Sequence, residues 1–216
     1  MSLEAMSLLP PDNDLELIHT RSYETRVYLV DDHLVARGAV RDRKPAGLLV
    51  EDDPDTIDMH HMVLELAVSI PDLTISAVSL DFESFPNATC PSISDAYQQL
   101  VGLSIARGFT HRIRELFGGP RGCTHVVALL QALAPSVVQA TWSLGTIERR
   151  RNAAAGETVQ GFDISMFELN TNTCHIWAED GEAVALVRRG EIPDPPLPVA
   201  ERMVELGRDL DSWGGV

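Results

Sequence analysis

Three cysteines and seven histidines are the side chains of this 216-residue chain best suited to nucleophilic or metal chemistry. The densest arrangement is Gly118-Gly119-Pro120-Arg121-Gly122-Cys123-Thr124-His125. The apolar residues that follow, Val126, Leu129, Leu130 and Leu133, recur at helical spacing. Cys123 therefore stands at or just before a helix N-terminus, where unpaired N–H groups and the positive dipole end favour a thiolate. The neighbouring glycines allow the backbone to approach whatever Cys123 faces. A free cysteine is also among the residues most often simply packed, so the other polar residues decide the matter.

His60 and His61 precede an alternating apolar stretch, Cys90 follows the hairpin that this stretch begins, and Cys123 and His125 open the helix. Each lies at the end of an element, where it can face a shared cleft. Zinc and iron both accept thiolate and imidazole ligands. The candidate metal set is His60, Cys90, Cys123 and His125, with His61 nearby and Cys174 a lesser contributor. No pair has Cys-x-x-Cys spacing, so the fold must bring these ends together. Cys123 and His125 are two residues apart and converge only if Cys123 is still in the loop. The competing chemistry is a Cys123 nucleophile with His60 or His125 as base, and glycine-loop N–H groups as an oxyanion hole. No third, orienting residue is evident from spacing. His19, His33 and His111 sit in polar or edge contexts and read as structural or solvated.

The elements that must position these groups start with a strand from Tyr23, where Tyr23, Thr25, Val27 and Leu29 share one face. Asp31-Asp32 turns the chain into a return strand through Leu34 and Val40, with Gly38 marking a bulge or a close approach. Met62, Leu64, Leu66, Val68 and Ile70 alternate, Pro71-Asp72 turns, and Leu73, Ile75 and Leu80 come back with an irregularity near Ala77. Ser92 or Ser94 caps a helix. A short helix runs from Thr110 to Phe117, and the Cys123 helix bends or breaks at Pro135. Ile164 to Leu169 is a candidate strand. Cys174 to Val187 reads as a hairpin around Asp180-Gly181. A Pro-rich linker leads to an amphipathic helix from Val199 to Leu210.

The net charge of −15 argues against nucleic acid, which needs a basic face. Arg149-Arg150-Arg151 suits a helix C-terminus instead. No uninterrupted run of 18 apolar residues suggests a membrane span, and the N-terminus lacks the form of a signal peptide. Three widely spaced cysteines do not make a disulfide framework. The expectation is a cytoplasmic protein with reduced thiols.

His60-His61-Met62, Cys90-Pro91, Leu100-Val101-Gly102-Leu103, Gly118 to His125 and Cys174-His175 with Asp180-Gly181-Glu182 together resemble a bacterial family of unknown function. Its signature is His-Asp-Met, Cys-Pro and Gly-Cys-Thr-His, and the likeness runs from about Ile18 to Pro193. His61 departs from the signature's Asp, and Asp32-His33-Leu34-Val35-Ala36-Arg37 departs from the family's acidic stretch. The order of elements is also similar to NifU-like iron–sulfur scaffold proteins. That likeness implies ligand positions at His60, Cys90 and Cys123. Their first cysteine is replaced by His60 and their aspartate by Met62, which tells against cluster assembly and leaves a mononuclear metal site or a sulfur-handling thiol.

The expected fold is α+β: an antiparallel sheet of hairpins covered on one face by helices between Ser92 and Arg150, burying Leu64, Leu66, Val68 and Ile75. A C-terminal hairpin and helix complete it. A parallel α/β sheet is the alternative, and the short turns argue against it. The expected organisation is a mobile segment over 1–16, one domain over 17–190, and a linker and helix over 191–216. The expected function is a metal-binding or sulfur-handling accessory protein, holding zinc or iron if a metal is bound. The alternatives are a Cys123 hydrolase or transferase, or a non-catalytic interaction protein that docks a protein partner or a second copy.

Overall fold

The computed structural model of the chain describes residues 8–10, 14–106, 108–157, 164–168 and 170–213. Most of the expected mobile segment over 1–16 lies outside them. The chain divides into two compact units, Met1–Ala140 and Thr141–Val216. The first is α+β and carries all the chemistry discussed below.

Its sheet is an antiparallel meander of β1 (Thr20–Val30), β2 (His33–Lys44), β3 (Ile57–Ser69) and β4 (Ile75–Ser84), in the order β1-β2-β3-β4. Strict alternation makes the strands one-sided. Leu34, Ala36 and Val40 of β2 and Met62, Leu64, Leu66 and Val68 of β3 are buried, as is Ile75 of β4. The bulge near Ala77 is present: Ala67 pairs with Ala77 but Val68 with Ile75. A second bulge lies in β3, where Asp42 pairs with His60 and Arg43 with Asp58, leaving Met59 without a cross-strand partner. β1 and β3 begin earlier than expected, so His60 and His61 lie inside β3 rather than before it.

Residues Cys90–Leu100 form 3₁₀ turns, not the expected α-helix, with Thr89 before them and no side-chain cap. Tyr97 and Leu100 of this run are fully buried. Helix α1 (Phe109–Phe117) buries Phe109, Ile113 and Phe117, spaced by four. Helix α2 (Thr124–Ala154) continues through Pro135 instead of breaking. A proline removes one intrahelical N–H bond, and 31 residues of helix with a well-buried N-terminal half outweigh that loss. In the first unit α2 buries Val126, Leu129, Leu130, Leu133 and Val137, and Leu129 and Leu133 lie against Gly38 of β2. A Cβ on Gly38 would come 3.0 Å from Leu129 Cδ1. Gly38 is thus a close approach and not a bulge. The Thr25 and Ser136 hydroxyls add a bond of 2.8 Å. By length and composition α2 is also apolar enough to cross a membrane, although no single apolar run reaches that length.

Among the described residues the second unit holds the C-terminal part of α2 and three short α-helices, α3 (Ser165–Glu168), α4 (Glu182–Arg188) and α5 (Leu197–Glu205). The expected strand over Ile164 to Leu169 is therefore helical where it is described. The expected C-terminal hairpin is absent: His175–Trp177 is a 3₁₀ turn, and Gly181 precedes α4. Val184 and Val187, three apart, are buried together, a helical spacing in a run too short to distinguish by periodicity. The final helix stops at Glu205, two residues before Gly207 with its φ of 64°.

Leu129 is fully buried where α2 meets the sheet. Leu129→Ala is expected to cost about 2–5 kcal/mol, read as a lower midpoint in urea unfolding with an unchanged slope.

Candidate metal and thiol centre

Asp42 continues the inward phase of β2 that Leu34, Ala36, Gly38 and Val40 set, and it is only 3% exposed. A carboxylate there must be paired. Its cross-strand neighbours supply the partners. Arg21 lies directly opposite on β1 and His60 directly opposite on β3. The three form one row across the inner face.

Arg21 holds Asp42 with a two-pronged fork, Nε to Oδ1 at 2.5 Å and Nη2 to Oδ2 at 2.6 Å. This geometry favours the ionised carboxylate. The hydrogen bond from Arg21 is the main reason that the Asp42 pKa lies well below the usual carboxylate range, against the opposing effect of burial. His19, just ahead of β1, brings Nε2 to 3.6 Å from Oδ1.

The helix side of the centre comes from α2. His125 Nε2 lies 3.0 Å from Asp42 Oδ2. A carboxylate only accepts hydrogen bonds, so Nε2 carries the proton and Nδ1 of the neutral ring is left as an acceptor. Nδ1 is 3.7 Å from Cys123 Sγ. Burial, and next the neighbouring His60, push the His125 pKa down, while the Asp42 hydrogen bond pulls the other way. The His60 ring stacks on His125 with centroids 4.0 Å apart. His60 Nδ1 is 3.2 Å from Asp42 Oδ2, but it lies off the line that a hydrogen bond needs. Among the described residues this buried nitrogen has no hydrogen-bond partner.

Asp42, His60 and His125 thus offer three ligand atoms, all within 4.8 Å of one another. Metal–ligand bonds of about 2.1 Å place neighbouring ligands of a tetrahedral ion roughly 3.4 Å apart. The 3.0 Å and 3.2 Å separations from Oδ2 are close to that edge. One imidazole-imidazole-carboxylate group of this kind can hold a divalent ion and leave coordination positions open.

The loop before α2 is fixed from below. The Cys123 N–H donates to the Tyr97 hydroxyl at 2.8 Å, and that hydroxyl donates to the Cys123 carbonyl at 3.3 Å. Tyr97 is fully buried and stacks on Phe117 with centroids 4.5 Å apart. Gly122 is required beside them: a Cβ would stand 2.6 Å from the Phe117 carbonyl oxygen and 3.0 Å from the Tyr97 hydroxyl. Cys123 itself is half-buried.

Of the residues that the sequence singled out, His60 and His125 converge, and Cys123 touches the second nitrogen of His125. Cys90 opens the 3₁₀ run, half-buried, and joins no ligand group among the described residues. His61 is turned by strand alternation to the other face, where it lines a shallow pocket with Ser22, Glu24, Ala39 and Arg41. Cys174 is exposed in the second unit. Asp42 and Arg21 are the additions. Their signal was present in the sequence: Asp42 keeps phase with Val40, and Arg21 with Tyr23, Thr25 and Val27.

A model of the family described as "Protein of unknown function (DUF2889)" matches residues 19–139. That stretch coincides with most of the first unit and contains every residue of the centre. No curated protein and no solved structure matches the chain.

Burial raises the Tyr97 pKa to about 12, above the roughly 10 of an unfolded tyrosine. Between these values the unfolded chain loses a proton that the folded chain keeps, so stability falls as pH rises through that window. Tyr97→Phe is expected to flatten this alkaline loss. At neutral pH it should cost about 1–3 kcal/mol for the unpaired Cys123 N–H. Denaturant melts at pH 7 and at intervals above pH 10 check both effects.

Proposed function

The chain belongs to the DUF2889 family of proteins of unknown function, and we propose that it binds one divalent transition-metal ion, zinc or iron(II), through Asp42, His60 and His125. The observation that carries this reading is the buried His60 Nδ1. Among the described residues it has no hydrogen-bond partner, yet it converges with His125 Nε2 on one carboxylate oxygen. A buried polar atom without a partner is costly, and a metal ion satisfies it. Two imidazoles and one carboxylate suit zinc, and equally suit the facial triad of non-haem iron.

Other features of the chain bear on the strength and setting of such a site. The Arg21 guanidinium already occupies both Asp42 oxygens. An incoming cation shares Oδ2 with it and meets its positive charge, which favours an exchangeable ion over a permanently held one. When bound, the ion supplies Lewis acidity at its open positions. The protein's own part is to hold the three ligands and to keep Cys123 beside them. Three free cysteines fit a reducing compartment such as the cytoplasm. The role is that of an accessory protein that carries metal next to a thiol. The NifU-like likeness bears on this only at His60 and Cys123, because the carboxylate and second imidazole come from positions that likeness does not include.

Elemental analysis of protein purified without added metal or chelator tests the proposal. About one equivalent of zinc or iron is expected in the parent protein. His60→Ala and Asp42→Asn should each reduce it at least tenfold, while Cys90→Ser should not. In parallel, excess zinc should raise the melting temperature, because binding only the native state adds about 2.7 kcal/mol at a hundred times Kd. Absence of both metal and a zinc-induced shift rejects the site. Loss of metal in Cys90→Ser replaces it with the thiolate set His60, Cys90, Cys123 and His125.

A further inference from the structure

We propose that Cys123 is a nucleophile for acyl transfer, with His125 as its base and Asp42 as the positioning residue, acting on activated acyl compounds such as thioesters and aryl esters. The reading is independent of metal binding, although both use His125.

Three geometric facts carry it. Cys123 Sγ faces His125 Nδ1 at 3.7 Å, within the range of a sulfur hydrogen bond. The opposite ring nitrogen meets Asp42 Oδ2 at 3.0 Å, which puts the proton on Nε2 and turns the Nδ1 lone pair toward the thiol. Asp42 is in turn locked by the Arg21 fork. Nucleophile, base and orienting carboxylate therefore follow one another in the arrangement that defines triads on unrelated folds. The nucleophile's backbone is held at both its N–H and its carbonyl by the Tyr97 hydroxyl, so Sγ has a fixed origin. Cys123 directly precedes the 31 residues of α2. The first N–H groups of a helix have no intrahelical acceptor, and they can receive an oxyanion that develops beside Cys123.

The step balances without any further reagent. Sγ attacks the acyl carbon, and its proton passes to Nδ1. The S–C bond forms, the bond from the acyl carbon to the leaving oxygen or sulfur breaks, and the leaving group takes the proton from Nδ1. Water then attacks the acyl thioester, again giving a proton to Nδ1. That proton goes to Sγ as the carboxylic acid departs.

Chelator-treated full-length protein, incubated with p-nitrophenyl acetate, tests this. Peptide mass spectrometry on acid-quenched samples follows the initial rate of acetylation of each cysteine, before the acyl thioester hydrolyses, and absorbance follows p-nitrophenolate. Exposed Cys174 serves as the internal reference. General-base assistance is commonly worth 10²–10⁴-fold, so Cys123 should acetylate at least about tenfold faster than Cys174. His125→Asn and Asp42→Asn should each bring the ratio of the two rates towards one. A purely structural role for Asp42 would instead leave Cys123 ahead of Cys174 in a chain still folded by circular dichroism. The ratio in the parent protein needs no substitution, so a variant that fails to fold cannot obscure the result. Cys123 reacting no faster than Cys174 overturns the proposal. Metal content measured on untreated samples reads the metal site separately.

Discussion

The first unit depends on one ion pair, that between Asp42 and Arg21. A charge on the buried face of a sheet is unstable unless it is paired and hydrogen-bonded. Here both carboxylate oxygens are taken by one guanidinium fork, and one of them also meets His125. The pair fixes register as well as charge. A slip of one residue in β2 would turn Asp42 outward and bring Arg41 or Arg43 against α2. The arrangement is therefore specified twice, by the apolar alternation from Leu34 to Val40 and by the one charge that ends it. The bulge at Met59 follows from the same demand. It lets His60 stand opposite Asp42 while Asp58 stays opposite Arg43, with which it forms its own ion pair at 2.7 Å. Bulges commonly re-aim side chains next to functional sites.

The loop before α2 meets a different constraint. Tyr97 is buried, and its hydroxyl needs partners. It finds both on one residue, Cys123. That choice draws the loop down onto the Phe117 ring and leaves no room for a side chain at 122. The glycine beside the cysteine is thus explained by packing under the loop, not by freedom of φ. Its φ of −159° is extended backbone. The chemistry above the loop and the core below it share the same backbone atoms.

Much of the sheet was legible: alternation over the nine residues from Met62 to Ile70 admits little but a one-sided strand, and Leu34 to Val40 follows a turn as its return strand. The close approach at Gly38 was legible for the same reason, a missing side chain in the inward phase. Half of the centre was legible as chemistry-bearing residue types at element ends. Asp42 was not singled out, since an acid near a strand end reads as solvated until its phase is counted against Val40. The position of His60 inside β3 depended on a bulge that no local pattern announces. Short runs failed more often. Ala183 to Val187 fits a strand by composition and a helix by the spacing of Val184 and Val187. The Asp-Gly before it serves as a helix entry as readily as a turn. Pro135 gave a local signal to stop, and the tertiary burial of Leu129, Leu130, Leu133 and Val137 on both sides of it prevailed.

The two proposed chemistries meet on one imidazole, and its tautomers connect them. With a proton on Nε2, His125 donates to Asp42 and accepts from the Cys123 thiol. An ion on Nε2 would displace that proton, and a neutral ring would then carry its hydrogen on Nδ1, as a donor toward sulfur. The same 3.7 Å contact would thus change from thiol-to-nitrogen to nitrogen-to-thiolate without movement of a backbone atom. Asp42 accepts in the first state and would ligate in the second, and the Arg21 fork favours its ionised form in both. His60 distinguishes the states, since it is needed by the ion and not by the thiol. A buried carboxylate set in phase with a hydrophobic strand would therefore link an ion on the inner face of the sheet to the hydrogen bonding of the sulfur at its rim.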